Sequence, residues 1–219
     1  VMAFLIASPW NSLSLTLILW ALIGLKRTIA FLLLSIVIAL ISGAIFDHLV
    51  RKGVLPENPH KVDIPSDFKF WASVRAELKS AHINPKTFLL TLKDGLFGST
   101  MILRWIFLGT VLAALLQTFV SADQFQTFFG PTLGGLGLTL LVATILEVCS
   151  EGSVPVAADL LTRAAAPGNA FAFLMTGVAT DYAEILSIKE TTKSWRTAFF
   201  LPLVTVPQVI AIAMIINNL

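Results

Sequence analysis

The sequence predicts an all-α protein: a multi-pass transmembrane helical bundle with discontinuous helices and a two-fold internal repeat. Three observations carry that expectation. Of the 219 residues 56% are hydrophobic and 13% charged, with a mean hydropathy of +0.85, whereas a soluble domain carries about 25% charged residues. Several apolar runs approach the roughly 18 to 20 residues that one helix needs to cross the hydrocarbon, and they lack the alternation of barrel strands. The chain also matches itself at a long shift, described below. The net charge of +2 does not imply nucleic acid, because the basic residues concentrate beside apolar segments, where cytoplasmic loops collect them.

The first span covers residues 1 to 24, and "ASPWNS" interrupts it: Pro9 removes a backbone donor, while Ser8 and Asn11 compete for backbone groups. A broken helix is expected. The chain opens on Val1 inside an apolar run with no basic flank, so the N-terminal part of the first repeat is expected to lie upstream. The second span runs from Thr28 to Val50, with Asp47 and His48 near its interfacial end.

Residues 51 to 98 form a polar linker holding eight of the fifteen Lys and Arg residues, which places it in the cytoplasm. "PENPHKVDIP" reads as extended chain. After it, Phe68, Trp71, Val74 and Leu78 share a helical face, with Lys69, Arg75 and Lys79 elsewhere, the pattern of an amphipathic surface helix.

A third span, Ser99 to Val120, carries Arg104. The connector "SADQFQTFFGPTLGGLG" has neither Lys nor Arg and is expected to face outward, its Gly130 and Gly134 permitting close helix contact. The fourth span, 135 to 150, ends in "EVCSEGSVPVAADL", where Ser153 is expected to cap a short helix with Pro155 in its first turn. That helix is too short to cross a bilayer. A fifth span, Ala170 to Lys189, is interrupted at "TGVATDYAE", and a sixth runs from Thr197 to the end, bent by Pro202 and Pro207.

Sliding the chain along itself sets "AFLIASPWNSLSLTLIL" at residue 3 on "AFLMTGVATDYAEILSI" at residue 172 without a gap, a shift of 169 (172 − 3). The same shift lays Arg27, Thr28 and Leu32 on Arg196, Thr197 and Leu201. The chain therefore divides into the end of a first repeat (1–50), the linker (51–98) and a second repeat (99–219). Two such halves are the usual build of secondary transporters, which hold their substrate where discontinuous helices of both halves meet.

Five of the thirteen Asp and Glu residues, Glu147, Glu151, Asp159, Asp181 and Glu184, fall in apolar surroundings. A charge at bilayer depth costs at least about 2.5 to 3.5 kcal/mol, so five together point to a hydrated cavity. Glu147 and Glu151 share a helix face, as do Asp181 and Glu184. Carboxylates that close repel one another when both are ionised, a property that a proton-coupled carrier exploits. Asp159, near Arg163, reads equally well as an interfacial residue. Cys149 is the chain's one cysteine, with no second thiol for chelation. His48, His60 and His82 have no metal spacing, so neither metal nor cofactor is expected. ATP-binding and hydrolase motifs are absent.

The stretch "EVCSEGSVPVAADLLTRAAAPGNAFAFLMTGVATDYAEIL", with "TTKSWRTAFFLPLVTVPQV" after it, resembles the predicted-permease family of the organoarsenical efflux permease ArsP and the YraQ-type proteins. The likeness is specific over residues 140 to 210 and looser over 1 to 50. Each half of that family carries a C-S-C-G signature followed by Pro; here Cys149, Ser150, Gly152 and Pro155 fit, and Glu151 stands at the second cysteine. The resemblance implies a bacterial inner-membrane permease exporting a small solute such as an organoarsenical. In this reading Glu147, Cys149, Glu151, Ser153, Pro155, Asp159, Asp181 and Glu184 line the pathway, with Ser8, Pro9 and Asn11 on the opposite wall. The partners are the bilayer and a small-molecule or ion substrate, with a homo-oligomer or an accessory subunit docked on 51–98 as further expectations. A partner-dependent subunit and a membrane-embedded enzyme are the alternatives.

Overall fold

A computed structural model describes residues 2–8, 12–57, 59, 70–71, 73–75, 85–146 and 150–218. Among them every regular element of six residues or more is an α-helix: α1 (Met2–Ala7), α2 (Leu13–Ile23), α3 (Leu25–Arg51), α4 (Pro85–Phe119), α5 (Ala122–Phe129), α6 (Leu133–Ile145), α7 (Ser150–Thr162), α8 (Pro167–Thr180), α9 (Tyr182–Thr192) and α10 (Trp195–Asn217). The surface helix expected around Phe68 to Lys79 lies mostly outside the described residues; within it Phe70 and Trp71 meet edge to face.

Three stretches, Leu25–Arg51, Pro167–Thr192 and Trp195–Asn217, are long and apolar enough to cross a membrane. The second contains a break at Asp181, as the polar interruption predicts. α1 ends at Ala7 and α2 opens after Ser12, whose backbone is extended, and Gly24, at φ +84°, separates α2 from α3 in a conformation that glycine adopts without strain. α10 runs as one helix through both Pro202 and Pro207. α4 starts at Pro85, earlier than the expected Ser99, and its 35 residues reach about 52 Å, well beyond the hydrocarbon thickness.

Side-chain contacts fix the direction of each element. Gln208 Nε2 donates to Ser42 Oγ at 2.9 Å, and the end of α3 (Asp47, Val50, Arg51) borders the same cavity as Thr191, Thr192 and Thr197 at the α9–α10 turn. α3 and α10 are therefore antiparallel. The 169-residue shift carries α2 onto α9 from first residue to last, and places the start of α3 one residue before that of α10. α1 packs on α3 as α8 packs on α10. The two units thus share an element order and run in opposite directions along the bundle axis.

The opposite end of the bundle is tied by amides. Asn169, at 0% exposure, donates through Nδ2 to the carbonyls of Phe129 (2.8 Å) and Gly130 (2.9 Å), and its Oδ1 accepts from Asn217 Nδ2 at 2.8 Å. Asn217 Oδ1 in turn accepts from the Gly168 N–H at 2.7 Å. This joins the α5–α6 bend, the start of α8 and the end of α10. Arg163 Nη2 donates to the Val120 carbonyl at 2.6 Å and lies over the Phe125 ring, anchoring the end of α7 at the same level.

α6 and α7 have 13 residues each, about 20 Å, and neither spans the membrane alone. α6 begins beside Asn169 and α7 ends at Arg163, so the two helices run in opposite directions relative to the Asn169 end, each packed against α8. α5 meets α6 at 88° and opens with a full capping box between Ser121 and Gln124. The expected close contact through Gly130 and Gly134 is corrected: Gly134 faces open space, and the tight approach is that of Gly135 onto the Gly130 carbonyl within the bend. Helices meet closely where Gly109 of α4 faces the Gly152 backbone of α7.

Candidate functional site

α6 stops at Ile145 and α7 starts at Ser150, leaving a gap whose tip lies between these two ends. Leu146 leaves the helix with ψ 83°. Across this gap the structure gathers the other two helix breaks. Ser14, in the first turn of α2, donates from Oγ to Glu151 Oε1 at 3.3 Å, and Ser150 Oγ donates to Glu151 Oε2 at 3.1 Å. On the other leg, Thr180 Oγ1, the last residue of α8, lies 3.2 Å from Thr144 Oγ1 near the end of α6. The Ser14 contact joins the first break to the tip, and the threonine contact joins the tip to the third.

Each second half-helix starts at this meeting point. Ser12 caps α2, its Oγ accepting from the Leu15 N–H at 3.1 Å, and Asp181 caps α9, its Oδ1 accepting from the Ala183 N–H at 2.8 Å. The two caps occupy equivalent positions at the 169-residue shift. Free N–H groups at such starts make the site polar although apolar helices surround it.

Ser153 and Pro155 sit differently from expectation. α7 begins at Ser150, so Ser153 is a buried residue inside the helix rather than its cap, and Pro155 is also internal. The helix begins early because Ser150, Glu151 and Gly152 adopt helical geometry at its open end. Pro155 has no N–H to give the Glu151 carbonyl four residues before it, so that carbonyl lacks its usual intrahelical donor. A carboxylate and a weakened backbone acceptor therefore belong to the same residue.

Asp181 and Glu184 are half-buried at the start of α9, one turn apart, beside the third break. Ser8 is exposed at the end of α1. Pro9, Asn11, Glu147 and Cys149 lie outside the described residues. Asp159 is not at the breaks: it is buried near the far end of α7, its Oδ2 3.8 Å from Arg163 Nη1. Sequence reasoning missed Ser12, Ser14, Thr144 and Thr180. Ser12 was legible as a cap before an apolar run, whereas the partners of Ser14 and Thr180 depend on tertiary placement.

No curated protein and no solved structure matches the chain. The family model ArsP_1, described as a predicted permease, matches residues 1–218, nearly the whole chain. With apolar helices of spanning length on the same residues, the chain belongs to the ArsP_1 family of predicted permeases and is a multi-pass membrane protein.

Proposed function

We propose that the protein is a secondary transporter of the cell inner membrane that exports a small solute, an organoarsenical or a related compound, coupled to proton or cation movement. The observation that carries this reading is the convergence of three helix breaks on the Ser14–Glu151 contact. Irregular backbone at membrane depth persists where it lines a polar path, and discontinuous helices with exposed half-helix starts are the usual construction of a carrier's binding site.

Glu151 is the carboxylate at this contact, accepting from both Ser14 and Ser150, and it is the group assigned here to proton or cation coupling. Asp181 and Glu184 line the second side of the path, and Glu147 and Cys149 belong to the same tip by sequence.

The two units form an inverted repeat in this proposal, which explains both their common shift and their opposite directions. The end of α3, where the linker starts, and the α9–α10 turn share one end of the bundle. Eight basic residues of 51–98 with Lys189, Lys193 and Arg196 make eleven of the fifteen, so that end faces the cytoplasm. Counterflow of an organoarsenical in proteoliposomes tests the function: exchange that falls with Glu151→Gln supports it, and exchange indifferent to both Glu151→Gln and Asp181→Asn refutes the coupling role.

A further inference from the structure

The two units share an element order but differ in what covers them. Under the 169-residue shift Phe4 of α1 falls on Phe173 of α8, and the same residue type is 75% exposed in one place and 4% in the other. Leu40 of α3 falls on Val209 of α10, 63% exposed against 0%, and the exposed Ala44 falls on the buried Ala213. The difference is local, because Ile45 and Met214, another equivalent pair, are exposed alike.

The neighbours of each helix account for it. α1 sits close on α3, where Ala3 meets Gly43, and α8 sits close on α10, where Gly168 meets the Ala213 carbonyl. α8 is also packed against α6 and α7, whereas among the described residues α1 packs chiefly on α3. The next helix repeats the asymmetry. α2 packs on α7 and brings Ser14 to Glu151, while Ala183, the counterpart of Ser14, is exposed between the half-buried Asp181 and Glu184. Exposed apolar side chains alone say nothing inside a bilayer, whose tails are as apolar as leucine. Here a second copy of the same pattern within the chain shows how that face is buried.

We propose that the α1 face carrying Phe4 is the seat of a second antiparallel helical pair, two apolar helices of about 13 residues around a polar tip, packed on α1 as α6 and α7 pack on α8. The proposal rests on the inverted-repeat reading. α7 runs into α8 through residues 163–166, so the equivalent pair is the stretch of polypeptide leading directly into Val1. Its end, continuing α1 upstream, covers Leu40 and Ala44. Its tip meets the start of α9 at Ala183 and completes the side of the path formed by Asp181 and Glu184.

The reading frame ahead of Val1 gives the first test. It should encode two such apolar runs around a polar break, and an initiating codon in their place overturns the proposal. Spin labels on Phe4→Cys and Ile45→Cys, each on a Cys149→Ser background in the polypeptide of the whole frame, then read the seat in lipid. Both positions lie near the Ala3–Gly43 contact, so they share a depth. Oxygen collision at Phe4→Cys should be at least about threefold below that at Ile45→Cys, as close packing excludes the probe. Equal collision assigns the face to lipid and overturns the proposal, as does protection accompanied by a short label-to-label distance between copies, which assigns it to a second copy. Glu151-dependent counterflow in a protein whose Phe4→Cys label is open to lipid would leave the transport reading standing while this one falls.

Discussion

Ser14 and Glu151 stand 137 positions apart in the chain and share a hydrogen bond of 3.3 Å between the starts of two helices, α2 and α7. If Glu151 couples transport to protons, Glu151→Gln should lower proton-driven transport in proteoliposomes at least about tenfold, the loss expected for a group acting in the rate-limiting proton exchange. Ser14→Ala should have a milder effect, about twofold to fivefold, because Ser150 still serves the carboxylate. Equal losses in the two variants would show that Ser14 does more than report the charge on Glu151.

The amide clamp should contribute measurably to stability. Asn169→Ala leaves two carbonyls and the Asn217 amide without their partner in a fully buried place, a loss of about 1 to 3 kcal/mol. A fall of several degrees in detergent-solubilised melting is expected, and Asn217→Ala should reproduce most of it.

Two glycines should answer oppositely to the same substitution. A Cβ on Gly109 would run into the Gly152 carbonyl of α7, so Gly109→Ala should cost about 1 to 3 kcal/mol by forcing the helices apart. Gly134, inside α6 and facing open space, should gain about 0.5 to 1 kcal/mol on becoming Ala. Melting curves of the two variants decide it.

Asp159 should behave as part of a brace. With Arg163 bound to the Val120 carbonyl and placed over Phe125, Arg163→Ala should destabilise the protein by about 3 to 5 kcal/mol, since it strips a buried carboxylate of its cation. Among molecules that remain folded, Asp159→Asn should leave organoarsenical counterflow within about twofold of the parent. A selective loss of transport with unchanged melting would return Asp159 to the pathway.

Sidedness is open to a direct check. On a Cys149→Ser background, Lys52→Cys and Lys193→Cys should react with a membrane-impermeant maleimide from one face of oriented vesicles, and Gln124→Cys and Asn218→Cys from the other. Labelling of Lys52→Cys and Lys193→Cys from different faces would contradict the antiparallel arrangement of α3 and α10.

What the sequence revealed and what it hid divide along one physical line. Interruptions written into local chemistry, Pro9 with its polar neighbours and the polar run up to Asp181, were readable because they act on their own backbone. The all-α bundle followed from apolar run length. The capping box at Ser121 and Gln124 was also present to be read and would have announced α5. Contacts between distant segments were not readable: "APGN" marks a turn, and nothing near Asn169 says that its amide reaches Phe129, Gly130 and Asn217. Ser153 was placed as a cap because a serine before Pro155 usually is one, and three further helical residues ahead of it changed its role.

The opposed directions of the two units bear on how the protein is made. Each unit carries a similar basic pair at the start of its last helix, Lys26 and Arg27 within the first turn of α3 and Lys193 and Arg196 on either side of the start of α10, and these pairs sit at opposite ends of the bundle. During insertion their pulls on the nascent chain oppose one another, since positive residues resist translocation. In the proposed orientation the stretch between the units, with its eight Lys and Arg residues, breaks the tie and sets which way the finished protein points.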